Sequence, residues 1–484
     1  MKRIHVFSAI TSKSKNINDI LRVIGSIKRA SRCHLRLRGI VRLVSLPLLF
    51  LFCIMFFIFP VSKAQFRAAV VKEDITPSDA QYLLGYNERK STGVLDHIYH
   101  RILAIDDGVT QFFIISTDLC LYSPSEYDKV TARLQKEYGI NPINVWWSVT
   151  HTHSAPEVGV FGLYGIYMGD RIGHTVDSVY TAMVEQKLID GILEARKNLA
   201  PARLGVGWGF SQANINRRAI DVNGKASLGL NPDGPVDRRI GLLRFDKEDG
   251  SPLALIANYP MHGTVMGPSN LEISGDAPGI VSEYVEKKIG APVLYLNGAA
   301  GNMAPIYSVY PNARAGHLDQ FEVLLGDKIL EANKRISTSI DTIKLFTGAL
   351  TVETPRKPGM EWSSDLSKYT STTKAGVNMV RLPVRFLKIN EEIAIWSAPI
   401  ELFCEVSNEV RSRSPFSYTF YFGYTNGWFG YMPTESEWSH GGYEVNTASP
   451  FTPVAANDLT ESVVSYLQGE MLAKQLPVKS KRRK

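Results

Sequence analysis

Val145-Trp146-Trp147-Ser148-Val149-Thr150-His151-Thr152-His153-Ser154 is the stretch from which the fold and chemistry of this 484-residue chain are best read. An apolar, β-prone run ends abruptly in small polar residues that carry two imidazoles. Residues two apart on an extended chain point to the same side, so the spacing predicts that His151 and His153 share one side of a strand end. Two neutral nitrogen donors are half of a typical zinc site, and strand ends are where open α/β sheets usually place their chemistry. The same pattern suits two polar residues in an ordinary turn, so a metal reading depends on ligands found elsewhere.

Working outward, strand-like runs recur at 112–116, 145–149, 203–206, 240–245, 254–259 and 293–296. Between them lie helix-like stretches at 126–138, 175–198, 280–289, 322–336 and 401–410. In the clearest of these, Val179, Ala182, Met183, Val184, Leu188 and Ile189 recur at helical spacing, and Pro201 follows the end. Such alternation predicts an α/β fold with mixed, partly parallel sheets and flanking helices, built as a single large catalytic domain with the site at strand ends and loops. Residues 354–374, rich in Pro, Ser, Thr and Lys, are the best candidate for a long loop or a subdomain link.

Charge is unevenly placed. Residues 1–64 hold twelve Lys or Arg against one acid, and 474–484 hold six with none; against a whole-chain charge of +7, the body between them is acidic, at about −10. A body of that charge argues against nucleic acid as a partner. The uncharged run 44–59 follows basic residues and precedes Ser62-Lys63-Ala64, which suits a signal peptidase. It is short for a membrane span, which needs roughly 20 residues. The expected organisation is a basic arm over 1–43, a signal peptide or N-terminal anchor over 44–64, the catalytic domain over 65–475 and a basic tail over 476–484. The body is then exported: periplasmic, secreted or anchored to the membrane. The arm is long for a signal, so the true translation start is expected further in. Cys120 and Cys404 are the only cysteines of the body. Two distant cysteines make no disulfide framework or Cys-type zinc site, and each is expected to be a buried free thiol.

His262 is the third candidate ligand, just past another apolar strand in Tyr259-Pro260-Met261-His262-Gly263. A glycine-rich turn, Asn297-Gly298-Ala299-Ala300-Gly301-Asn302-Met303-Ala304-Pro305, follows the next strand, and its small residues permit backbone amides to approach a ligand. Metallo-β-lactamase-like sites place an Asp-His pair shortly after the His-X-His; here Ser154-Ala155-Pro156-Glu157 follows instead. The downstream histidines neither favour nor exclude a barrel amidohydrolase.

Six motifs in order then carry a resemblance. They are Thr150–Ser154, Asn214-Ile215-Asn216-Arg217, His262-Gly263-Thr264, Gly301-Asn302-Met303-Ala304-Pro305, Ala398-Pro399-Ile400-Glu401, and Gly430-Tyr431-Met432-Pro433-Thr434 with Gly442-Tyr443-Glu444. From about Arg67 to Gln475 the chain resembles the catalytic domain of the neutral, non-lysosomal ceramidases, which continue into an immunoglobulin-like domain. The resemblance implies one Zn2+ held by His151, His262, Glu401 and Tyr431, with His153, Arg217 and Tyr443 as catalytic groups. Without it, Glu401 reads as a favourable acid in the first turn of a helix, Tyr431 as packing, and Arg217-Arg218 as a surface pair. Zinc with an open position lowers the pKa of bound water to about 7 and polarises a carbonyl. His153 would shuttle the proton or steady the oxyanion, and Arg217 and Tyr443 would donate to the developing negative oxygen.

One position departs from the family: Ala304 stands where its Gly-Asn/Asp-X-Ser-Pro turn has serine. The implied function is hydrolysis of the amide of an N-acylated sphingolipid or related small molecule, with a membrane surface as an expected partner. Two alternatives stay open: a zinc amidase or esterase acting on a non-ceramide envelope or glycan substrate, and a non-catalytic lipid- or glycan-binding envelope protein.

Overall fold

Eight strands make the principal sheet of the computed structural model, which describes residues 65–169, 172–307, 318–339 and 342–475. The expected export segment and basic tail lie outside these residues. Across the sheet the order is Val293–Asn297, Pro252–Tyr259, Arg239–Lys247, Ala200–Phe210, Arg67–Asp74, Tyr99–Asp106, Gln111–Thr117 and Val145–Val149. The outermost pair at each edge is parallel and the interior pairs are antiparallel, so the expected mixed, partly parallel α/β fold is present.

Side-chain alternation explains how the sheet is covered. Leu103, Ile105, Leu243 and Ile256 turn to one face, where they meet Leu387, Ile395, Phe420 and Phe422 of a second sheet. That sheet is formed by Leu345–Pro355, Asn378–Ile389, Ile393–Ser397 and Tyr418–Phe422, with Thr370–Thr372 on its flank. Ile102 and Ala104 turn the other way, into a core shared with Leu188 and Ile192 of the helix Ser178–Lys197. Leu242, Leu255 and Ala257 likewise meet Val281 and Val285 of the helix Asp276–Ile289. Each fully buried Leu or Ile contributes roughly 1.5–3 kcal/mol, so the doubly covered sheet is the rigid part of the molecule.

Helix boundaries follow local chemistry. Asp177 caps the helix expected from 175 by accepting from the amides of Val179 and Tyr180, so it begins at Ser178. The stretch expected as one helix over 322–336 starts as a π-helical turn, Glu322–Gly326, before the α-helix Asp327–Asn333. Residues 354–374 are not one long loop. The strand Leu345–Pro355 runs into them, the 3-10 helix Ser364–Tyr369 follows, and Thr370–Thr372 pairs with Asn378–Val380. β-Branched Thr370 and Thr372 favour that pairing.

The two edges of the principal sheet are brought together. Ser116 Oγ donates to Tyr295 O at 2.6 Å, and Asn297 Nδ2 donates to Thr150 O at 3.2 Å. The loops after Val149, Tyr259 and Asn297 therefore gather on one rim. Gly263 permits the contact: its amide donates to His151 O at 3.2 Å, and a Cβ there would stand 2.7 Å from Thr152 Cα.

Candidate functional site

His151 and His262 are fixed in the same way. His151 Nδ1 donates to Cys120 O at 2.8 Å, and His262 Nδ1 donates to Met303 O at 3.0 Å. With Nδ1 carrying the proton, each Nε2 offers a lone pair, the tautomer a metal-ligating imidazole needs. Both Nε2 atoms point at Glu401 Oε2, at 3.3 and 3.0 Å. The Tyr431 hydroxyl oxygen, Oη, lies 3.2 Å from His262 Nε2. The strand reading of the histidine pair needs correction. The strand stops at Val149, and His151 takes φ +65°, a left-handed conformation. His153 reaches the same spot through this chain reversal, its Nε2 3.2 Å from His151 Nε2.

Glu401 is not in the first turn of a helix. Glu401–Leu402 is a short strand paired in parallel with Tyr431–Met432, with Glu401 opposite Tyr431, and the helix begins at Cys404. This pairing brings the two C-terminal residues to the histidines. Trp428 Nε1 donates to Glu401 Oε1 at 2.8 Å, which anchors one carboxylate oxygen and leaves Oε2 to the cluster. Tyr424 donates to Oε2 at 3.2 Å and stacks on His151 with ring centroids 4.3 Å apart.

Burial opposes charge on His151, but the Glu401 carboxylate outweighs it and lifts the imidazole to about 10. Burial would raise Glu401, yet the two histidines hold it well below the usual carboxylate range. Burial and the Arg217 cation push His262 down to about 3. A group of lone pairs this close needs a cation among its atoms: a proton shared by His151 and Glu401, or a metal. Four nitrogen and oxygen donors at about 2.0–2.1 Å from a tetrahedral ion stand roughly 3.3 Å apart. The His–Glu and His–Tyr separations of 3.0–3.3 Å match that edge. The donor set fits a metal ion.

Around the cluster opens a pocket of about 500 Å³ whose wall includes His153, Arg217, Tyr431, Tyr443 and Ala304. His153 Nδ1 is buried without a partner among the described residues, unlike the Nδ1 atoms of His151 and His262. Burial and the two neighbouring imidazoles push His153 well down and keep it neutral. Gly85, at φ +110°, lies against it: a Cβ there would fall 2.4 Å from His153 Nδ1. Arg217 Nη2 donates to the Tyr431 hydroxyl oxygen, Oη, at 3.0 Å and its Nε to Glu444 at 2.9 Å. Tyr443 stands at the mouth, 37% exposed, edge-on to Tyr431.

The structure thus brings together all seven residues named from the sequence. Sequence reasoning passed over several of their neighbours. Arg218, set aside beside Arg217, is buried and shares Glu444 with it, at 2.7 Å. Trp428, Tyr424 and Gly85 are read only from contacts. The cysteines are buried free thiols as expected, but the Cys120 carbonyl orients a histidine. The amides of the glycine-rich turn serve the fold rather than a ligand: Gly301 N donates to Leu402 O at 2.8 Å, and Asn302 Oδ1 accepts from Cys404 N at 3.0 Å.

Fold and site together define a mixed α/β protein with a buried His–His–carboxylate cluster compatible with a metal ion. The family model of neutral/alkaline non-lysosomal ceramidase, N-terminal, matches residues 66–303, and this part of the chain belongs to that family. Neutral ceramidase of Pseudomonas aeruginosa is 29% identical over 260 residues, covering 51% of this chain and 38% of that protein. Neutral ceramidase B of Dictyostelium discoideum is 30% identical over 254 residues, covering 50% and 34%. The matched segment therefore spans little more than a third of these relatives. The crystal structure of the Pseudomonas aeruginosa neutral ceramidase superposes with a TM-score of 0.68 at 21% identity, over 86% of this chain and 76% of that one. The family match contains His151, His153, Arg217 and His262; beyond Met303, where Glu401, Tyr431 and Tyr443 lie, the likeness is one of fold.

Proposed function

We propose that this chain is an exported zinc-dependent hydrolase that cleaves the amide bond of an N-acylated lipid of the ceramide type. The observation that carries the proposal is the convergence of His151 Nε2, His262 Nε2 and Glu401 Oε2 within 3.0–3.3 Å contacts, with both Nδ1 protons held by backbone carbonyls. His151, His262, Glu401 and Tyr431 would hold the ion. Zinc bound there supplies Lewis-acid activation of water and of the amide carbonyl.

The remaining roles fall to the pocket wall. His153, neutral and without a partner at Nδ1, takes the proton of the attacking water and returns it to the leaving nitrogen as the C–N bond breaks. Carboxylate and amine are the products. Arg217, clamped by Glu444 and Tyr431, and Tyr443 at the mouth donate to the developing oxyanion. An apolar mouth suits acyl chains: Leu228 lines the pocket and is 59% exposed, and Val222 at the tip of the same hairpin is fully exposed. These residues support work at a membrane surface. Residues 65–475 form the catalytic domain in this reading, exported by 44–64.

A second reading, hydrolysis of a non-ceramide envelope or glycan amide, is favoured by Ala304. It lies on the pocket wall and offers no hydroxyl to the scissile group. Fatty-acid release from a panel of ceramides, other N-acyl lipids and acyl-amino sugars separates the two, run beside metal analysis of the same preparation. About one zinc per chain with release from ceramide is the expected result. Release from acyl-amino sugars alone selects the second reading, and zinc-loaded protein silent across the panel refutes both.

A further inference from the structure

A second cavity, of about 420 Å³, shares no residue with the pocket at the metal-site cluster. It lies where the odd-numbered face of the strand Asn378–Ile389 loses its cover. Leu387 and Ile389 on that face pack into the core between the sheets. Arg385, Pro383 and Arg381 continue the face toward the other end of the strand and line the cavity. Tyr127, from the helix Pro124–Tyr138, and Tyr369 form further wall.

Three cations line this space and no carboxylate does. Lys368 is answered by Asp128, and Arg381 by Glu353, both from outside the lining. Arg385 has no carboxylate partner among the described residues; its guanidinium reaches the Tyr127 hydroxyl, which itself donates to Pro142 O. Directly opposite Arg385 on the neighbouring antiparallel strand stands Ser397. Opposed residues project to the same face, so Ser397 points into the cavity with Arg385. It is 1% exposed, and its Oγ has no hydrogen-bond partner among the described residues. A buried hydroxyl left unpaired costs about 1–3 kcal/mol, so such groups are rare where no ligand or water is meant to meet them.

We propose that this cavity is an oxyanion-binding site that takes a phosphate group, free or as a phosphomonoester. Arg385 donates from its planar fork, the arrangement that suits tetrahedral oxyanions. Ser397 Oγ donates from the opposite strand, and Lys368 and Arg381 at the rim draw the anion in. The volume lies within the range of small-molecule pockets and admits an organic substituent beside the phosphate. The wall also includes Pro399 and Thr425, which adjoin the segments that carry Glu401 and Tyr424.

The test is calorimetric titration of the full chain at low ionic strength with inorganic phosphate, with glycerol 3-phosphate, and with phosphatidic acid vesicles set against phosphatidylcholine vesicles. Saturable binding of at least one phosphate probe is expected. Arg385→Gln should weaken it on the order of ten- to a hundredfold, the loss of charge-assisted hydrogen bonds. Arg385→Lys should retain part of it, and Ser397→Ala should weaken it several-fold. Binding of the soluble probes identifies a free ligand; binding of phosphatidic acid vesicles alone, lost in Arg385→Gln, identifies a lipid headgroup. No saturable binding of any probe, or binding that Arg385→Gln leaves unchanged while its unfolding midpoint stays at the wild-type value, overturns the proposal. Should Arg385→Gln fail to fold, Ser397→Ala decides in its place: unchanged affinity there also overturns it.

Discussion

Replacing Glu444 with Gln tests whether the wall of the candidate site is held by one buried carboxylate. Glu444 Oε1 accepts from Arg217 Nε at 2.9 Å and Oε2 accepts from Arg218 Nη1 at 2.7 Å. The three side chains are at most 8% exposed. The two arginines do not depend on it equally. Arg218 also donates to Glu437 and to Gly441 O. Once the carboxylate is gone, the Arg217 side chain keeps only the Tyr431 hydroxyl as a hydrogen-bond partner among the described residues, because its other anchor is Glu444 itself. Removing one partner of a buried pair costs about 3–5 kcal/mol, because a charge is left buried and uncompensated. Glutamine keeps the volume and one acceptor oxygen, so the loss should sit near the lower end, about 3 kcal/mol. Urea unfolding measures it as a lower midpoint at unchanged slope. Adding Arg217→Met should recover most of the loss, since it removes the stranded charge, and the double-mutant cycle should show strong coupling. Glu444→Gln within about 0.5 kcal/mol of wild type would refute the reasoning, because that is the effect of an uninvolved surface change.

Further predictions concern the cluster and its surroundings. Exchanging both His151 and His262 for Ala should abolish zinc binding; full occupancy in that variant, by metal analysis, means the ligand set is wrong. Gly85→Ala should destabilise by about 1–3 kcal/mol through its positive φ. It should also displace His153, so hydrolysis should fall well beyond what stability accounts for while zinc stays bound; unchanged activity rejects a role for His153. Trp428→Phe leaves Glu401 Oε1 buried and unpaired, at a cost of about 1–3 kcal/mol, read as a lower unfolding midpoint. His174 lies between Glu88 and Glu157, at 2.8 and 2.7 Å. Burial works against its charge, but bonds to the two carboxylates raise it above 6.5. A raised value means that the folded state holds the proton more tightly, so this stabilisation is complete below 6.5 and fades as pH climbs through the raised value. The wild-type minus His174→Asn difference in unfolding midpoint should therefore shrink with rising pH above 6.5, and a difference that grows contradicts the assignment.

Much of the fold was legible because the principal sheet is covered on both faces. Runs such as 240–245 and 254–259 are mostly apolar rather than alternating, and adjacent residues such as Leu242 and Leu243 enter different cores. The 175–198 helix carried its own periodicity, and only the cap at Asp177 had to be seen in coordinates. Legibility failed where pairing overrides local composition. Pro, Ser, Thr and Lys over 354–374 read as loop, yet Thr370–Thr372 gains ladder partners in Asn378–Val380, across the five-residue turn that follows it. Glu401 read as helical because a true helix starts at Cys404. Its strand exists only because residues thirty positions on lie alongside it.

The histidine pair shows why a site can be named from sequence while its internal logic cannot. Composition makes His151 and His153 equivalent, and strand periodicity gave them one common face. The backbone separates them. At φ +65° His151 turns its Nδ1 toward Cys120 O, so its proton is fixed there and Nε2 is left facing Glu401. His153 is held by other means: Arg89 donates to its carbonyl at 2.6 Å, Tyr86 packs edge-on to its ring, and nothing among the described residues fixes its Nδ1. One imidazole has a single tautomer and a lone pair aimed into the cluster, as a ligand requires. The other is free to exchange a proton at the pocket wall, as a shuttle requires. What distinguishes them is a backbone carbonyl, which every residue possesses, so no pattern of side chains could have marked Cys120 as the residue that sorts the pair.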